Sequence, residues 1–157
     1  MNITSIIRTT LLVLSCNIAL SGCCHLLKED APTPAKYSVE NKEMNAIYHF
    51  AFDRSELSEQ DMPALNEFAT FLHANPSMKA HVDGYTDAQG PYNYNLNLGL
   101  RRAEAVAEYL QAKGVPAERI EVNSYGKDKL IDEAYTLNAH AKNRRAVIYV
   151  TEEKAVV

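Results

Sequence analysis

Apolar and polar positions alternate with two different periods along this chain, and the switches between them mark its elements. Ala46-Ile47-Tyr48-His49-Phe50-Ala51-Phe52 is rich in aromatic residues and predicts a strand, broken by Asp53-Arg54-Ser55. Ser58 is a suitable N-cap, with Glu59 and Asp61 in the first turn, where a helix dipole favours acids. Leu65, Phe68, Ala69 and Leu72 then recur at helical spacing, and Asn75-Pro76 ends that helix. Ala80-His81-Val82-Asp83-Gly84-Tyr85 predicts a second strand, followed by the polar turn Thr86-Asp87-Ala88-Gln89-Gly90-Pro91. A longer helix presents Leu96, Gly99, Ala103, Val106 and Leu110 on one face and stops near Gly114, with Pro116 beyond it. Ile120-Glu121-Val122-Asn123-Ser124-Tyr125 alternates as a third strand. A charged loop (126–137), a short helix (138–143) and the strand Arg145-Ala146-Val147-Ile148-Tyr149-Val150 follow. Strands alternating with helices imply an α/β, two-layer domain over residues 45–151, its helices packed on one face of a small β-sheet. Residues 152–157 read as a tail, and strand order does not follow from the pattern.

The first 44 residues follow neither period. Residues 1–22 carry one charge, Arg8, and the apolar stretch Thr9-Thr10-Leu11-Leu12-Val13-Leu14-Ser15-Cys16-Asn17-Ile18-Ala19-Leu20. That stretch is short for a mature bilayer span and suits an export signal. Leu20-Ser21-Gly22-Cys23 resembles the lipobox of bacterial lipoproteins, in which the Cys is acylated and becomes the first mature residue. Acylation by two or more chains would give stable membrane anchoring. The alternative is an ordinary cleaved signal with incidental cysteines. Cys16 would leave with the signal, and Cys24 would remain as a single free thiol, which argues against a disulfide within the domain. Residues 23–44 read as the lipidated Cys and a flexible tether containing Pro32 and Pro34. The nineteen residues of 24–42 reach roughly 60 Å when fully extended.

Charge narrows the chemistry. The formal net charge is −4 over 157 residues. Loss of residues 1–22 removes Arg8 and no acid, leaving a charge near −5. A sequence-independent grip on nucleic acid is therefore not expected. Serine-hydrolase, zinc-protease and phosphate-loop motifs are missing. His25, His49, His73, His81 and His140 do not fall at metal-ligand spacings, so neither a metal nor a cofactor is expected. The cluster that stands out is Gly84-Tyr85-Thr86-Asp87, then Asn93, Asn95 and Arg101-Arg102, at a strand-to-helix junction. Unpaired backbone N–H groups at such a junction receive anions. An acid on the loop and an arginine on the helix can hold the two ends of a zwitterion. The same residues could equally form a structural ion pair or face water.

These residues carry a resemblance. Tyr48-His49-Phe50-Ala51-Phe52-Asp53, Gly84-Tyr85-Thr86-Asp87-Ala88-Gln89-Gly90, Tyr94-Asn95-Leu96-Asn97-Leu98-Gly99-Leu100-Arg101-Arg102-Ala103, Ser124-Tyr125-Gly126-Lys127-Asp128-Lys129 and Ala141-Lys142-Asn143-Arg144-Arg145-Ala146-Val147 occur in order. From about residue 46 to 150 the chain resembles the OmpA-like peptidoglycan-binding domain family, and its lipobox and tether suit a lipid-anchored member rather than a barrel-linked one. The resemblance implies a mixed sheet and non-catalytic binding of the meso-diaminopimelate of peptidoglycan stem peptides. It assigns Asp87 to the ligand's ammonium and Arg102 to its carboxylate. Phe52, Asp53, Asn95 and Arg144 are expected to line the same groove, and Arg101 to be structural or on its rim. Tyr85 departs from the family's usual His or Asn and is expected to alter the groove's shape. Lipidation at Cys23, an outer-membrane location with the domain facing the periplasm, and TolB and TolA as partners are further implications. Replacing Asp87 or Arg102 by Ala is expected to abolish wall association and leave folding intact. Two rivals stay open: a wall hydrolase using Asp53, Asp83 or Asp87, and a lipoprotein acting mainly through protein partners.

Overall fold

The computed structural model describes residues 36–40 and 43–152. The expected export signal, Cys23, Cys24 and the first part of the expected tether lie outside them. Five strands form one sheet: β1 (Lys36–Glu40), β2 (Glu43–His49), β3 (Met78–Tyr85), β4 (Ile120–Gly126) and β5 (Arg145–Glu152). Their order is β1-β2-β5-β3-β4, with β3 and β4 parallel and the other neighbours antiparallel. Three α-helices join them: α1 (Met62–Ala74), α2 (Tyr92–Ala112) and α3 (Leu137–Asn143). The mixed α/β reading therefore holds, and α2 is the crossover that a parallel β3–β4 pair needs.

The core follows the period of two. Ala46 and Tyr48 of β2, Ala80 and Val82 of β3, and Ala146 and Ile148 of β5 face the helices, with no exposed surface. Leu65, Phe68 and Leu72 of α1 and Val106 and Leu110 of α2 complete that layer. Ser58 begins the first helical segment as expected. Its backbone N–H and hydroxyl both donate to the Asp61 carboxylate, at 3.1 and 2.9 Å. Arg119 closes the other end of α1 by donating to the carbonyls of Leu72 and Asn75.

Three boundaries differ from the sequence reading. Residues 36–40, read as tether, pair along β2 from Lys36↔Ile47 to Glu40↔Glu43, so the sheet begins before residue 45. β2 ends at His49, and Ala51, Phe52 and Asp53 form a turn rather than the end of a strand. Asp53 has φ 55°, a left-handed conformation that an extended run cannot contain. β5 continues to Glu152 because Lys79 and Met78 of β3 supply partners for Thr151 and Glu152. On α2, Leu98 rather than Leu96 is the buried leucine of the first two turns.

Where α2 crosses the sheet, the approach is closer than a side chain allows. A Cβ on Gly84 would lie 1.8 Å from the carbonyl oxygen of Gly99, and one on Gly99 would lie 2.4 Å from Ser124 Oγ. Ser124 Oγ donates to the Leu96 carbonyl at 2.7 Å, which fixes the helix at that distance. Gly84→Ala is expected to lower stability by at least ~2 kcal/mol through overpacking against backbone. Urea denaturation with an unchanged m-value and a lower midpoint checks this.

Candidate functional site

The turn after β2, the loop after β3 and the first turns of α2 enclose a cavity of about 360 Å³. That is at the small end of the range for small-molecule sites. All six residues expected to form the groove, Phe52, Asp53, Asp87, Asn95, Arg102 and Arg144, line it. The structure thus gathers side chains up to 92 positions apart in the chain. Tyr94, Pro91 and Leu98 also line it and were not singled out as site residues. Tyr94 lay within the motif that carried the resemblance, yet only the fold shows that it turns towards the cavity.

Arg102 has no exposed surface. Its Nε donates to the Arg54 carbonyl at 2.8 Å, one Nη to the Tyr85 carbonyl at 2.8 Å and the other to the Ala51 carbonyl at 3.2 Å. The Phe50 ring lies 5.2 Å from its guanidinium carbon. A guanidinium has five N–H groups, so these bonds leave two. Burial first, and then Arg144 nearby, push its pKa down to about 10, against the pull of Asp87 and Asp53. It therefore stays charged at neutral pH.

Asp87 is likewise buried. One carboxylate oxygen accepts from the Gln89 backbone N–H at 3.1 Å, which folds the loop back on itself. The other faces Arg144 at 3.4 Å, and Arg144 also donates from Nε to the Phe50 carbonyl at 3.0 Å. Asn95 spends its side-chain N–H groups on the carbonyls of Gln89 and Gly90, at 2.7 and 3.3 Å. Its role is to hold the loop over the N-terminus of α2. The cavity wall as a whole carries two carboxylates, Asp53 and Asp87, and two guanidiniums, Arg102 and Arg144. Arg101 is exposed on the rim, 6.0 Å from the Tyr94 ring centre.

The expectation for Tyr85 is corrected. Gly84 faces α2, so its neighbour Tyr85 points to the opposite face of the sheet. There its ring stacks on Tyr125 at 5.3 Å, under Arg145 at 3.8 Å. Only its backbone carbonyl reaches the site, as an acceptor for Arg102. Burial, and then Asp83, push the Tyr85 phenol up to about 12. Asp83 shares that face with Tyr85, away from Asp53 and Asp87. Among the described residues no group of three or more His, Cys, Asp or Glu could hold a metal ion.

A one-sided α/β layer with a charged cavity at its strand-to-helix junction defines the class. The chain belongs to the OmpA family, which its residues 49–144 match. It is similar to the peptidoglycan-associated lipoprotein of Pasteurella multocida, with 37% identity over 145 residues, covering 89% of this chain and 96% of that protein. The lipoprotein of the same name from Haemophilus influenzae is 36% identical over 146 residues, covering 88% of this chain and 95% of that one. The crystal structure of the peptidoglycan-associated lipoprotein from Burkholderia pseudomallei aligns with a TM-score of 0.66 and 33% identity. That alignment covers 67% of this chain and 89% of the other.

The burial of Arg102 changes the expected outcome of its removal. Arg102→Ala would strand three carbonyls and open a void, each stranded group costing about 1–3 kcal/mol. The variant is expected to melt more than ~10 °C lower than the parent, since each kcal/mol shifts a domain of this size by several degrees. Asp87→Asn, which keeps the loop's acceptor, is expected to melt within a few degrees of the parent. Differential scanning calorimetry of the pair checks both.

Proposed function

We propose that this chain is a lipoprotein of the cell envelope whose domain binds peptidoglycan without cleaving it. The observation that carries the reading is the balance of charge in the cavity. Two carboxylates and two guanidiniums around one small space suit a ligand end that bears both an ammonium and a carboxylate. The side chain of meso-diaminopimelate in a stem peptide is such an end. Arg102 and Arg144 form the pole for its carboxylate, and Asp87 is the acid that faces its ammonium. The N-terminus of α2 adds a positive partial charge beside Pro91 and Tyr94. Acylation of Cys23 would anchor the chain in the outer membrane, and the domain would face the periplasm and hold the wall. Modest affinity per site suffices when many anchored copies meet one polymer.

A hydrolytic reading has less to stand on. Paired catalytic carboxylates must flank one bond at a set separation. Asp83 lies on the other face of the sheet, and Asp87 is already engaged by Arg144 and the Gln89 N–H. The reading through protein partners has one feature in its favour. Ile131 and Tyr135 on a loop, and Leu137 at the start of α3, are exposed, and Asn143 holds the loop: its side chain accepts from the Ile131 N–H at 2.8 Å and donates to the Asp132 carbonyl at 2.7 Å. An ordered loop with exposed apolar side chains suits a protein contact. TolA and TolB are the partners this reading names, and the two roles are compatible.

Titration of the protein from residue 36 onward with a diaminopimelate muropeptide, beside its lysine analogue, tests the proposal. The lysine analogue lacks the side-chain carboxylate. Loss of one charge-assisted contact should weaken its binding about 10- to 100-fold. Asp87→Ala is expected to abolish cosedimentation with purified sacculi. Equal affinity for the two muropeptides, or full cosedimentation of the variant, would sink the assignment.

A further inference from the structure

The turn formed by residues 51–54 makes few bonds of its own. Its one internal backbone bond runs from the Arg54 N–H to the Ala51 carbonyl at 3.3 Å. Asp53 at its centre holds a left-handed φ of 55°, which a non-glycine residue keeps only when its surroundings enforce it. Phe52 is 58% exposed, so apolar burial does little to hold the turn. Its two ends are tied by Arg102, through the Ala51 and Arg54 carbonyls. Its middle is tied by Tyr94, whose hydroxyl donates to the Asp53 carboxylate.

Tyr94 is well placed for this. It sits in the first turn of α2, two positions from the helix start and eight before Arg102. Both anchors of the turn therefore come from one rigid element. The ring is 45% exposed, so its packing alone does not explain its orientation. The bond to Asp53 is the main cause that raises its phenol pKa.

We propose that Tyr94 is a positioning residue of the cavity, and that Asp53 serves mainly as its acceptor. Together they latch the 51–54 turn against the guanidinium of Arg102. Asp53 then shapes the wall rather than receiving the ligand's ammonium, which is left to Asp87. The proposal rests on the ligand reading above, but the latch itself exists without ligand.

Three variants of the full chain, purified in detergent, decide it: Tyr94→Phe, Asp53→Gly and Asp53→Asn. Glycine keeps the left-handed turn and removes the acceptor, whereas asparagine tolerates the same φ and keeps an acceptor oxygen. The ligand-free readout is hydrogen exchange at Arg102 Nε–H, the donor to the Arg54 carbonyl. The second readout is affinity for the diaminopimelate muropeptide. Tyr94→Phe and Asp53→Gly are expected to speed the exchange and to weaken binding about 3- to 10-fold, the effect of one hydrogen bond. Asp53→Asn is expected to recover most of both losses. Unchanged exchange in Tyr94→Phe would overturn the latch. An asparagine variant as weak as the glycine one would also overturn it, because the carboxylate charge would then be touching the ligand. Failure of the unsubstituted protein to bind the muropeptide would sink the function reading alone, and the exchange measurement would still decide the latch.

Discussion

The site depends on a guanidinium with no exposed surface. Arg102 gathers three carbonyls from two segments, Ala51 and Arg54 from the turn after β2 and Tyr85 from the end of β3. Without it those oxygens would face one another across the interior. Its placement is set three residues earlier, on the same face of α2. Gly99 there meets Gly84 backbone to backbone, and Tyr85 follows Gly84 directly. The glycine contact thus sets the distance between helix and strand, and the arginine spans it. The two features are one device: close approach supplies the reach, and the guanidinium satisfies the backbone groups that the approach buries.

Arg144 repeats the logic from the other side. It precedes β5 and binds the Phe50 carbonyl, while the Phe50 N–H donates to the Arg144 carbonyl at 3.0 Å. One residue earlier, the side chain of Asn143 holds the loop at Ile131 and Asp132. The cavity is therefore lined by side chains whose first task is to organise loops. Each donor fixed on a carbonyl orients its guanidinium at no further entropic cost when a carboxylate arrives. The same donors are then absent from the ligand's share, which limits the affinity of a single site.

Much of this was legible in the sequence because the core obeys simple periods. The alternation in β3 and β5 and the three-and-four spacing of α1 and α2 specify one buried face each, and the six groove residues do meet. What failed did so for identifiable reasons. Lys36-Tyr37-Ser38-Val39-Glu40 holds two apolar residues, too few beside a proline-containing segment to separate an edge strand from a tether. Phe50-Ala51-Phe52 continues an apolar run past the strand's end, and the left-handed Asp53 leaves no trace in hydropathy. The motif points Tyr85 to the groove because its neighbours in that motif are there. Parity assigns it to the other face once Gly84 is known to meet the helix. The burial of Arg102 was invisible because an arginine within a helix looks the same in sequence whether it faces water or three carbonyls.

That last ambiguity separates two kinds of charged residue in this site. Asp87 is fixed by one loop N–H and one arginine, and a neutral isostere can keep the geometry. Arg102 is fixed by three main-chain groups that only a forked, five-donor cation can serve together; lysine has the charge but not the fork. Loss of the acid therefore isolates a charge effect, whereas loss of the arginine mixes charge with collapse of two walls. A binding defect in an Arg102 variant carries information about the ligand only when the fold of the variant is measured beside it. Asp87 is the residue through which the chemistry of the cavity can be read alone.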